Sequence, residues 1–257
     1  MDLPPTLRVE ERGEVAVLRL ARAAKRNALD DVTVLGIEAF FTALPDGVRT
    51  VVLAAEGDHF SAGLDLGALA GRTAFEGVQH SRMWHRVFDR IESGTVPVVA
   101  VLHGAVVGGG LELACAAHIR VAEPSTFYAL PEGQRGLFVG GGASVRVPRL
   151  IGAHRMADMM LTGRVLDADE GQAVGLSHYR VGAGEGLAHA LGLAKKIATN
   201  SPVTNFAVLQ ALPRIAEANP AEGYLLESLM AALAGSSEQA QQRMQAFLQG
   251  RGGKVQR

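Results

Sequence analysis

The chain has one cysteine, Cys115, so it holds no internal disulfide framework and no multi-cysteine metal site. Charge of either sign is not in excess: net charge is −1 and the pI is about 6.7. That balance offers no basic surface for nucleic acid and no polybasic tail for anionic lipid. Long hydrophobic runs are missing too. Stretches such as 96–102 are strand-sized and well short of a membrane span. The start, Met1-Asp-Leu-Pro-Pro-Thr, has no charged-then-apolar signal pattern, and a reducing cytoplasm is the expected home. His-Glu-x-x-His, Gly-x-Ser-x-Gly and Gly-Lys-Ser/Thr motifs do not occur, which leaves metalloprotease, serine-hydrolase and P-loop chemistry without support.

What is present is 257 residues, 48% of them hydrophobic, enough for one substantial core and a small appended unit. The spacing predicts strands at 15–20, 50–54, 97–102, 119–122 and 126–130. It predicts helices at 27–44, 75–93 and 112–117, the last short and buried. Strands that alternate with helices indicate an α/β core. After about residue 184 the pattern turns helical, with segments at 187–199, 203–218, 221–234 and 238–249. Ser201-Pro202 and Asn219-Pro220 serve as start signals between them. A division into a core at 1–200 and a helical assembly region at 201–257 follows.

One residue stands out. Glu112 is the only Asp, Glu, Lys or Arg between Val96 and Ile119, and it lies directly behind Gly108-Gly109-Gly110. An apolar strand leads into a glycine turn, and the turn leads into an apolar helix. A carboxylate there is costly unless it is used or neutralised. A second, Glu132, stands in Leu130-Pro131-Glu132. Two carboxylates near donor-rich glycine loops suit acid/base work on a substrate that develops negative charge.

The ordered set of segments resembles the crotonase, or enoyl-CoA hydratase/isomerase, superfamily. It runs from Lys25-Arg26-Asn27-Ala28-Leu29 through Phe60-Ser61-Ala62-Gly63-Leu64-Asp65-Leu66 and His103-Gly104 to Gly108-Gly109-Gly110-Leu111-Glu112. It continues with Leu130-Pro131-Glu132, Gly140-Gly141-Gly142, Arg149-Leu150-Ile151-Gly152, Leu161-Thr162-Gly163 and a C-terminus containing Lys254. The resemblance implies an α/β fold of repeated ββα turns in a spiral, with a C-terminal helical trimerisation region. It implies an acyl-CoA thioester substrate whose carbonyl becomes an enolate-like oxyanion, held by the amides of Leu64 and Gly109. It places Glu112 and Glu132 as the catalytic acids and Gly140 as the amide that positions water. Coenzyme A arrives as part of the substrate, so no metal or redox cofactor is expected. Its contacts would be the backbone of Ala62 and Leu66, with Lys25, Arg26 and Lys254 near phosphate; Asp65, after the oxyanion loop, orders that loop. The expected assembly is a homotrimer or a dimer of trimers.

The chain departs from the family pattern at Val139, where a proline is common, and at Ala21-Arg22-Ala23, where Asn-Arg-Pro is common. Gly141 and Gly142 also read as plain structural glycines. Trp84 reads as core packing, His85 as a surface residue, and Cys115 as a small buried filler. Two acids favour hydration of a 2-enoyl-CoA. The alternatives are thioester hydrolysis, or hydration followed by hydrolysis of the methylthioacryloyl-CoA hydratase type. An enoyl-CoA isomerase and a catalytically silent acyl-CoA-binding subunit complete the set.

Overall fold

The computed structural model describes residues 3–69 and 71–251. They divide into two compact units, with the boundary after Ala198. The first unit is built on a six-stranded sheet of order β1-β2-β3-β4-β6-β9. These strands are β1 (Leu7–Arg12), β2 (Val15–Leu20), β3 (Thr50–Ala55), β4 (Val98–Leu102), β6 (Ile119–Ala122) and β9 (Tyr179–Arg180). From β2 to β9 the neighbours are parallel; β1 is antiparallel to β2, with Leu7 opposite Leu20.

The continuous apolar strands are explained by burial on both faces. Val51, Leu53, Val98 and Ala100 belong to one core, and the alternating Val52, Ala54, Val99 and Val101 to another. The second core is closed by helix α7 (Gly186–Ala198), whose Ala190 and Ala194 permit close approach to the sheet. Each fully buried valine or leucine contributes roughly 1.5–3 kcal/mol of transfer free energy. Strand β1 was not anticipated. Its apolar positions, Leu7 and Val9, are diluted by four charges, the composition of a blunted edge strand.

A second, three-stranded sheet of order β5-β7-β8 comprises β5 (Ala105–Val107), β7 (Phe127–Ala129) and β8 (Leu166–Asp167). Isolated bridges Ser61–Val106 and Leu29–Leu64 extend this layer. Strand β4 therefore passes into β5 and then into helix α3 (Gly109–Ala116), giving one strand-strand-helix turn of a spiral. Strand β3 passes through the Ser61 bridge toward α2 (Ala74–Glu92) as another. The loops that leave the second layer carry the site.

Helix α1 runs Asp31–Thr42, four residues later than the sequence suggests. Asp30 is its cap, accepting from the Thr33 amide at 2.8 Å. Asn27 instead takes a positive φ of 52°. Its Oδ1 accepts from the Arg22 amide, and its Nδ2 donates to the Glu56 and His59 carbonyls, all at 2.8 Å. An asparagine that finds such partners has no reason to join the helix. Helix α2 starts at a Thr73–Glu76 capping box and buries Trp84, Val87, Phe88 and Ile91. Three further helices, α4 (Ala143–Ile151), α5 (Ala153–Thr162) and α6 (Ala168–Val174), precede α7.

The second unit is helical: α8 (Pro202–Phe206), α9 (Leu212–Glu217), α10 (Pro220–Gly235) and α11 (Glu238–Leu248). A π-helical turn, Ala207–Ala211, joins α8 to α9 where one regular helix was expected. Pro213 explains it, because proline has no N–H for the Leu209 carbonyl and its ring crowds that group. Among the described residues no helix is long and apolar enough to cross a membrane.

Candidate active site

The start of α3, the Glu132 turn, the start of α4 and one face of α2 converge on a cavity of about 180 Å³. Its lining includes Leu64, Trp84, Gly109, Glu112, Glu132 and Gly140. The two acids, both candidate oxyanion amides and the candidate water-positioning glycine therefore meet in one space.

Glu112 is 4% exposed. Its Oε1 accepts from the Gly141 amide at 2.7 Å and the Ala143 amide at 3.0 Å. These amides stand at the N-terminus of α4, where free N–H groups and the helix dipole favour an anion. Burial pushes the carboxyl pKa up; the Ala143 and Gly141 amides and the Arg146 guanidinium pull against it. Both donors sit on one oxygen, Oε1, and Glu112 lines the cavity. Gly141 is thus more than a structural glycine, since its amide holds the acid. Gly142, with φ 107°, caps α4.

Glu132 is half-buried, and its Oε2 is buried with no hydrogen-bond partner. Burial raises its pKa, and a charge on Glu112 raises it further. Gly108 makes room for it: a Cβ there would lie 2.6 Å from Glu132 Oε1, and φ is 52°. Only glycine meets both conditions without strain.

Leu64 and Gly109 both line the cavity, and their backbones lie close together. A Cβ built on Gly109 would lie 3.2 Å from the Leu64 nitrogen. Among the described residues neither amide donates to a protein acceptor. Gly109 is the first residue of α3, so its N–H also lies at the positive end of that helix. The preceding loop is stitched down: the Ser61 hydroxyl donates to the Asn27 carbonyl and accepts from the Gly63 amide.

Asp65 accepts from Arg22 Nη1 at 2.9 Å and from the Gly67 amide at 3.3 Å. Arg22 also pairs with Asp30 at 3.2 Å. Asp65 is therefore a brace of the loop that follows Gly63, and Arg22, in the segment that departs from the family pattern, is what it braces against. The Ala62 amide is taken by the Arg26 carbonyl, which leaves the Ala62 carbonyl for a ligand. Leu66, exposed, begins a single turn beside it. Lys25 and Arg26 are exposed on a turn outside the cavity lining. Lys254 lies outside the described residues.

Trp84 is buried, as expected of core packing, but it also lines the cavity. His85 is exposed. Cys115 is buried, and burial pushes its thiol up to about 11, as befits an inert filler. Val139 is buried, and the loop after it still delivers the Gly141 and Ala143 amides to Glu112. Arg146 was not anticipated. Its Nε donates to Glu92 at 2.6 Å and its Nη1 to the Gly141 carbonyl at 3.1 Å, so it ties the loop to α2. No motif marks it, because its partners come from distant segments. Among the described residues no three His, Cys, Asp or Glu side chains cluster as a metal site.

Comparison with known proteins places this architecture. The sequence pattern of the Enoyl-CoA hydratase/isomerase family matches residues 10–254, and the chain belongs to that family. A solved structure from Rhodopseudomonas palustris, described as a "putative enoyl-CoA hydratase", is 57% identical, with a TM-score of 0.94 over 98% of both chains. An enoyl-CoA hydratase from Bacillus anthracis is 26% identical, with a TM-score of 0.89 over 97% of this chain and 98% of that one. The fatty acid oxidation complex subunit alpha of Shewanella loihica is 46% identical over 134 residues, 51% of this chain. The match spans only 19% of that larger relative.

Proposed function

We propose that the protein adds water across the double bond of a 2-enoyl-CoA thioester. The observation that supports this reading is the meeting of two carboxyl groups and two unpartnered amides in one cavity. The thioester oxygen sits between the Leu64 and Gly109 amides. Glu112, as carboxylate, takes a proton from a water held beside Gly140, and the water oxygen bonds to C3. The electron pair moves to the thioester oxygen as an enolate, where each amide supplies about 3 kcal/mol of barrier lowering. Glu132, protonated, gives its proton to C2 on the same face. Proton exchange with solvent then resets the pair. A carboxyl with a buried, unpartnered oxygen suits the acid, and one that caps a helix suits the base. No other cofactor is required.

Coenzyme A leaves the site past the Ala62 carbonyl and Leu66, with Lys25, Arg26 and Lys254 as the cations for its phosphates. The test is the loss of conjugated enoyl-thioester absorbance when a four-carbon 2-enoyl-CoA is supplied. Hydration gives the 3-hydroxyacyl thioester. Free thiol as first product assigns hydrolysis, and an unhydrated shifted double bond assigns isomerisation.

We further propose that the second unit assembles three copies, singly or as paired trimers. Leu225, Leu229 and Leu233 recur every four residues along α10 and are exposed. Such an apolar row belongs in an interface. Light scattering should report a trimer or hexamer at micromolar concentration; a stable monomer overturns this.

A further inference from the structure

We propose that Trp84 closes the acyl end of the cavity and makes this chain an enzyme for short enoyl thioesters; the inference rests on the enoyl-CoA reading above. Trp84 is the only tryptophan of the chain and is 3% exposed. The benzo edge of its indole lies against both halves of the chemistry. A Cβ on Gly109 would stand 2.8 Å from its Cζ3 and 3.1 Å from its Cη2. A Cβ on Gly141 would stand 3.0 Å from its Cε3. One ring edge therefore touches the helix start that offers the oxyanion amide and the loop that holds Glu112. A chain that extends from the reacting carbons between these two walls runs into the indole within a few atoms.

The indole cannot easily move aside. His80, one turn earlier on α2, packs against it with tilted rings at a centroid distance of 5.7 Å, and Phe88, one turn later, meets it edge-on at 5.4 Å. His80 Nε2 lies 2.7 Å from Asp31 Oδ1 and 3.1 Å from Trp84 Nε1. One ring nitrogen cannot both donate to the carboxylate and accept from the indole. The shorter, charge-assisted bond to Asp31 decides the tautomer, and the indole N–H packs against His80 as a neighbour. Arg72 fixes the other Asp31 oxygen at 2.7 Å. The chain Arg72–Asp31–His80 thus pins the wall from the start of α1. By contrast, the Leu137 and Phe138 side of the cavity is exposed and presents no such wall.

The test is a chain-length profile of kcat/KM on 2-enoyl-CoAs of four, six, eight and ten carbons for wild type, Trp84→Phe and Trp84→Ala, each first shown to be folded. Wild type should prefer four carbons, falling about tenfold for every two methylenes that find no room. Trp84→Ala should raise the ten-to-four-carbon ratio at least roughly tenfold, with Trp84→Phe between. A uniform loss at every length would mean that Trp84 only supports the loops and would overturn the proposal. A wild-type preference for ten carbons would overturn it as well. Wild-type turnover of the four-carbon substrate tests the hydration reading separately. A second readout needs neither turnover nor a variant. Trp84 emission reports the site directly, so saturated butyryl-CoA should shift it and bind more tightly than decanoyl-CoA; equal or reversed affinities would overturn the proposal.

Discussion

Glu112→Gln should lower kcat by at least about 10²-fold, and Glu132→Gln by a similar factor, while affinity for a saturated acyl-CoA persists. The structure makes this a clean separation. Glutamine keeps an oxygen for the Gly141 and Ala143 amides, so the cap of α4 survives while the base is lost. Stability should be unchanged or higher. Burial raises the Glu112 pKa above the ordinary 4.5, so stability falls as pH rises from the unfolded value to the folded one. Above that window the ionised form carries a constant penalty, and the neutral amide removes it. A Glu112→Gln enzyme with near-normal turnover would remove the mechanism, and a collapsed Tm would make the acid structural. The same shifts set the pH profile of the wild type. The reaction needs Glu112 ionised and Glu132 protonated. The rate therefore falls on the acid side as the base takes up a proton and on the alkaline side as the acid loses one. Both carboxyls are raised, so both limbs lie above the ordinary carboxylate value, with apparent pKa values that belong to the pair. An acid limb at or below 4.5 contradicts this.

Gly109→Pro should lose about 10²–10³-fold in kcat beyond Gly109→Ala, the typical effect of one oxyanion donor. Alanine is the proper control because both variants add a Cβ that meets Trp84 at 2.8 Å and the Leu64 amide at 3.2 Å. Only proline also deletes the N–H, and a first helical position tolerates it. Both variants must first be shown to be folded. The measurements are enoyl-CoA hydration and exchange of the C2 proton of a saturated acyl-CoA with deuterated water. Exchange needs the enolate and a base at C2 but no added water, so it separates the oxyanion from the water activation assigned to Glu112. A folded proline variant that matches the alanine control places the oxyanion elsewhere.

Much of the α/β core was legible along the chain, because Val-rich runs and three-to-four spacings are local signals. The missed elements include helices α4, α5 and α6, of which α4 and α5 are amphipathic, and two strands whose local signals are weak. Strand β1 has two apolar positions among four charges, and β5 is only three residues long. The start of α1 was misplaced because Asn27 finds its partners at Glu56 and His59, a choice invisible to local propensity. At the site, Glu112 was conspicuous as a lone charge in an apolar stretch. Arg22, Arg146, His80 and Asp31 were not, since each acts through residues tens of positions away.

The sequence by itself determined the strand-helix alternation, the helical C-terminal region and the family resemblance, and it singled out the two glutamates and the glycine turns around them. Periodicity, composition and a charge out of place are properties of the chain alone. Only the tertiary structure decided that Glu112 caps α4, that Glu132 keeps an unpartnered oxygen, that Asp65 braces a loop, and that Trp84 is a wall of the site. Each of those depends on which distant backbone groups and side chains share a low-dielectric space, and that is set by the spiral that brings β5, α2 and α4 around one cavity.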